Sequence, residues 1–215
     1  MIFAKESRGR LWRRRTNMKF CKNNSQDIVR MLVYQFGMTI FSLVLYFAVG
    51  MVQDADPNDT SCLWEVLISV FATTFYFVLV FLSAWETGAR DRIKVDTGRE
   101  TKVPFKGAFI AGIANIPNFI LSIMGVVAYA FVLSELGGNA FAAVSLLLLK
   151  YGASMYLGIG IGLVTLFGLG TSGMISYFVQ VIIFFAGAVC CCLVSAAGYG
   201  AGYRNLHLLP SKKND

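Results

Sequence analysis

The chain has 215 residues, a formal charge of +7, 56% hydrophobic residues and only 14% charged ones. Its mean hydropathy is +0.63, whereas a soluble domain carries about a quarter charged residues. A water-soluble enzyme is therefore nearly excluded, and so is a disordered chain, which needs low hydrophobicity. The composition predicts an all-α, polytopic integral membrane helical bundle with four to five transmembrane helices.

Residues 1–30 form a basic arm with Trp12, Arg13, Arg14 and Arg15 at its centre. Two readings apply: a positive anchor on the cytoplasmic face, or binding to anionic lipid headgroups at about 1 kcal/mol per Arg. Nucleic acid is not an expected partner, because no aromatic platform or folded module accompanies the arginines. Met18 is an alternative start, which would remove most of the arm. No signal peptide is expected, since the first apolar run starts late, is long and lacks a small-residue cleavage site.

The predicted transmembrane domain covers 31–203. A span needs about 20 apolar residues. Residues 31–53, about 64–85, 107–134 and 174–203 supply such stretches. The final uncharged run, 151–203, is too long for one helix, and the Gly-rich segment 168–173 divides it. Residues 136–171 are ambiguous: they hold Lys150 and four glycines between 152 and 162. They form either a fifth span or a re-entrant segment, which must be covered by protein or line a wet cavity.

The basic residues set the orientation. Nine lie at or before the first span, six in the loop 86–106 and three in the tail 204–215; the loop at 54–63 and the link after 134 have none. Basic residues stay inside, so the N-terminus and loop 86–106 are expected to be cytoplasmic. A re-entrant 136–171 would bring the C-terminus to the same side, and that arrangement is favoured.

Polar groups inside a bilayer are costly and mark candidate sites. In the third span, Asn115 and Asn118 share a helix face, and Pro117 between them removes a donor and kinks the helix, freeing a carbonyl near residue 113. This segment either lines a polar cavity or ties helices together. Lys150 either snorkels to the interface or contacts an ion or substrate, paired with Glu135 or Glu65. Gln35, Thr39 and Ser42 share a face of the first span, and Thr73, Thr74 and Gln180 are further candidates for interhelical glue. After the second span, Glu86, Arg90, Asp91 and Arg92 form the one cluster that could serve membrane-face chemistry. Ile93, Val95 and the turn at 97–99 suggest a short hairpin able to dock a soluble partner.

Gly158 and Gly162, and Gly198 and Gly202, have the spacing that lets helix backbones touch. Close packing follows, within one chain or between copies. No metal site or cofactor is expected. Cys190, Cys191 and Cys192 are consecutive and point about 100° apart on a helix. The sole histidine, His207, lies in the tail. Nucleotide, zinc-protease and serine-elbow motifs are all missing.

The leading functional reading is a non-enzymatic channel or transporter subunit that forms a homo-oligomer or docks a membrane or cytoplasmic partner. The alternatives are a membrane-embedded enzyme acting on lipid or prenyl substrates, and a membrane anchor or scaffold with a regulatory basic arm.

Overall fold

The structure is a computed structural model that describes residues 20, 22, 24–53, 61–99, 103, 105–133, 139–152, 154–167 and 173–204. Trp12, Arg13, Arg14, Arg15, Glu135 and most of the tail lie outside the described residues. Among the described residues the helices are α1 (Ser25–Gln53), α2 (Ser61–Asp96), α3 (Lys106–Ala114), α4 (Ile116–Leu133), α5 (Asn139–Gly152), α6 (Ser154–Leu166) and α7 (Gly173–Tyr203). Among the described residues there is no strand, so the fold is an all-α bundle. Three helices are long and apolar enough to cross a membrane, or up to five if each bent pair is one span. On α1, Val33, Phe36, Ile40, Val44 and Phe47 form an exposed apolar stripe. Such a stripe suits lipid rather than water.

Helix α2 corrects the expected hairpin after the second span. It continues through Asp96 because charged residues replace apolar ones at helical spacing. Glu86 pairs with Arg90 four residues on, and Arg92 reaches Asp96 at 3.5 Å. The helix stops at Gly98, whose φ of 71° is left-handed. There the amide of Gly98 donates to Val95 (2.9 Å) and that of Arg99 to Lys94 (2.9 Å). These two bonds form a Schellman cap, which needs a residue without a Cβ penalty at that position.

The third span is two helices, α3 and α4, bent by 55°. Pro117 falls in the first turn of α4, where its missing amide costs least, and the break falls at Asn115. The Asn115 side chain donates to the carbonyl of Ala111 (2.9 Å), two residues before Ile113, the i−4 position to which Pro117 has no amide to donate.

Contacts fix the helix order from end to end. Arg30 at the start of α1 meets Glu86 of α2 (2.5 Å), whereas Tyr46 near the end of α1 meets Glu65. Helices α1 and α2 are therefore antiparallel. Lys106 at the start of α3 binds Asp91, and Tyr199 at the end of α7 donates to the same carboxylate (3.1 Å). One end of the bundle thus gathers the start of α1, the end of α2, the start of α3 and the end of α7. The ring of Tyr129 in α4 packs at a tilt against Phe178 in α7 (5.1 Å between centroids) towards the opposite end.

Helices α5 and α6 behave differently. Phe141 of α5 packs on Phe131 of α4, and Gly152 lies against Leu121, about three turns back along α4. At Ser154 the chain turns by 102°. Helix α6 then runs back towards the start of α2, with Gly158 against Glu65 and Gly162 against Val66. The pair enters and leaves at one end of the bundle, as a re-entrant hairpin whose tip stops partway.

The core has two parts. Around the tip lie Met38, Ala72, Tyr76, Met155, Tyr156 and Phe184; beside the charged end lie Ile28, Met31, Ala84, Ile110, Ala111 and Tyr199.

Candidate functional site

Three polar constellations lie within this frame. The first holds the hairpin tip. A chain that breaks helix inside a bundle must seat the polar groups beside the break. The Met155 carbonyl accepts from Ser69 (2.5 Å) and Thr73 (3.0 Å), both on α2. The Ser154 hydroxyl lies 2.7 Å from that of Ser42 and donates to the Thr39 carbonyl (3.0 Å). The Gly158 amide, in the first turn of α6, donates to the Tyr46 hydroxyl (2.9 Å), which donates to the Glu65 carbonyl (3.2 Å). Small hydroxylated residues at i and i+4 on α2 therefore present a file of donors to a neighbouring backbone.

Against this tip opens a cleft of about 430 Å³, bounded by α1, α2, the last turn of α5, one face of α6 and α7. Its polar lining is Tyr46, Glu65, Lys150, Ser154 and Gln180; Leu43, Phe47, Leu157 and Ile161 are apolar. Lys150 is exposed, and Glu65 and Gln180 are half-buried. Among the described residues, Glu65 and Lys150 make no ion pair, although they face one volume. The Tyr46 and Ser154 hydroxyls are already engaged at the tip, which leaves Glu65, Lys150 and Gln180 to address the cleft. Of the two partners expected for Lys150, Glu65 shares this cleft.

The second constellation contains the kink residues. Asn115 and Asn118 are almost fully buried. Asn118 donates to the Asn115 side-chain carbonyl (2.9 Å) and accepts from Gln35 of α1 (2.5 Å). Asn115 also donates to the Cys191 sulfur (3.3 Å), which lies 3.2 Å from the Tyr76 hydroxyl. One file of side chains thus joins α1, α4, α7 and α2. Its members face each other, and the file does a tie's work.

The third lies at the charged end. Glu86 is shared by Arg30 and Arg90, while Asp91 turns inward to Lys106 (2.7 Å), Tyr199 and Lys94. Arg92 points to Asp96. Of the four residues expected to form a reactive cluster, Glu86 and Arg90 stay together with Arg30, while Asp91 and Arg92 turn to other partners.

The packing glycines all serve contacts inside the chain. A Cβ at Gly198 would meet the Phe81 carbonyl, one at Gly202 the Trp85 carbonyl, and one at Gly158 the Glu65 carbonyl. Gly88 of α2 is comparably close to the Tyr199 carbonyl. Tyr46 went unnoticed in the sequence because an aromatic residue near a span's end reads as an interface anchor. Lys106 and Tyr199 went unnoticed because their partner, Asp91, lies far away in sequence.

Among the described residues no group of His, Cys, Asp and Glu could hold a metal ion. No family model matches the chain, and neither the curated proteins nor the solved structures contain a match.

Proposed function

We propose that the chain is a four-span integral membrane protein that handles a small solute as a channel or transporter component. The spans are α1, α2, the bent pair α3–α4, and α7. The apolar helices support insertion. The weighting of basic residues towards the arm, the loop 86–106 and the tail supports a cytoplasmic charged end. The cleft then opens on the opposite side.

The observation that carries the solute reading is the hairpin break beside the cleft. Broken helices at membrane depth are tolerated where they line a cavity or are buried in protein, and transporters use them to bring backbone and polar side chains to a solute. An anchor or scaffold needs neither a break nor two opposite charges facing one volume.

The test is cysteine labelling in a background without native cysteines. Tyr151→Cys and Ile161→Cys should react with a membrane-impermeant maleimide applied from the non-cytoplasmic side. If both sites react only with lipophilic reagents, the cleft is filled by lipid and the solute reading fails.

A further inference from the structure

We infer that the cleft binds a small zwitterion, a free amino acid with an apolar side chain, with its carboxylate at Lys150 and its ammonium at Glu65. The inference rests on the solute reading above and names the class of solute.

Glu65 and Lys150 line one cleft without pairing with each other among the described residues. A simple cation would engage Glu65 and leave Lys150 uncompensated, and a simple anion would do the reverse. Either arrangement leaves one charge of the cleft wall without a partner on the bound molecule, so only half of the charge complementarity is used. A molecule carrying both charges satisfies both walls while adding no net charge. The Gln180 amide, from a third helix, can donate to the carboxylate or accept from the ammonium.

The rest of the lining sets the side chain. Leu43, Phe47, Leu157 and Ile161 offer an apolar wall and no further charge. The volume of about 430 Å³ falls in the range of small-molecule sites, roughly 300–1,000 Å³, and leaves room beyond the α-amino and carboxylate groups. Leucine, methionine and phenylalanine fit this description; lysine and glutamate do not, because each brings a charge with no partner.

The test uses the full-length protein in detergent or nanodiscs with a matched set of probes. L-Leucine carries both charges, leucinamide and 3-methylbutylamine only the positive one, and 4-methylpentanoate only the negative one. L-Leucine, L-methionine or L-phenylalanine should bind and should slow maleimide labelling of Ile161→Cys, while the three single-charge probes should bind at least about tenfold more weakly, as expected when one charged hydrogen bond is lost. K150Q and E65Q should each weaken amino-acid binding by a similar factor. Equal binding of 4-methylpentanoate or 3-methylbutylamine overturns the inference, and so does amino-acid binding untouched by K150Q and E65Q. If either variant fails to fold, the protection of Ile161→Cys with native Glu65 and Lys150 still decides. Labelling at Tyr151→Cys and Ile161→Cys without protection by any of the three amino acids at 10 mM, a concentration roughly tenfold above a weak millimolar affinity, sinks the ligand assignment while leaving the solute reading standing. Absence of labelling sinks both.

Discussion

Lys106 and Asp91 meet at 2.7 Å with less than a tenth of either side chain exposed. The pair joins the start of α3 to the end of α2, and the Tyr199 hydroxyl brings α7 to the same carboxylate. Breaking a buried pair by removing one partner leaves an uncompensated charge and costs about 3–5 kcal/mol. Lys106→Met should therefore destabilise the detergent-solubilised protein by that order. The double variant Lys106→Met with Asp91→Asn should recover much of the loss. Unfolding midpoints of the three proteins measure this directly; equal midpoints for wild type and Lys106→Met would show that the pair holds nothing.

The amides at the kink are expected to be structural. Replacing both Asn115 and Asn118 by Leu removes the tie to Gln35 and the contact with Cys191. The cost should be on the order of 1–2 kcal/mol. Solute binding per folded molecule should stay intact, because the cleft lining does not include either residue. A double variant that folds and assembles normally but loses binding or uptake would return these residues to the functional path.

Glycine substitutions separate backbone contact from helix propensity. Gly202→Ala and Gly158→Ala place a methyl group against a carbonyl of α2. Each should shift the helices apart and cost about 1–3 kcal/mol, as overpacking does. Gly37→Ala and Gly112→Ala meet nothing within 4 Å and should be neutral or stabilise by up to about 1 kcal/mol. If all four behave alike, the close approaches do not govern stability.

The membrane orientation has its own test. Cysteines at Asp56 and Glu135 should react with an impermeant reagent from outside, and cysteines at Lys94 and Lys212 only from inside. Labelling of position 94 in intact cells would reverse the orientation. Removal of the last ten residues by external protease would place the tail outside.

The helical class was legible because long uncharged runs leave a chain little choice in lipid. The Gly- and Ser-rich segment 168–173 was expected to divide the last apolar run; α6 ends at Leu166 and α7 begins at Gly173, and residues 168–172 lie outside the described residues. The extension of α2 was not legible. Ile93 and Val95 alternate like a strand, but the pairs Glu86–Arg90 and Arg92–Asp96 carry the helix onward, and Gly98 ends it. At the cleft, the oddity of Lys150 stood out in the sequence, and Glu65 was one of two named partners. The other lining residues were hidden, because Tyr46, Leu157 and Gln180 resemble ordinary span residues until three helices bring them together. The glycine pairs suggested contact without saying between which helices, since spacing fixes a face and not the neighbour that covers it.

The hairpin tip borrows its partners. Met155 depends on hydroxyls from α2, and Ser154 on a serine and a carbonyl from α1. Until those two helices stand side by side, the Met155 carbonyl and the Ser154 hydroxyl have none of these partners. On the four-span reading, the segment is therefore expected to enter the bilayer after α1 and α2 have paired, not as an independent span, and to be the first piece to leave its seat when the protein is heated.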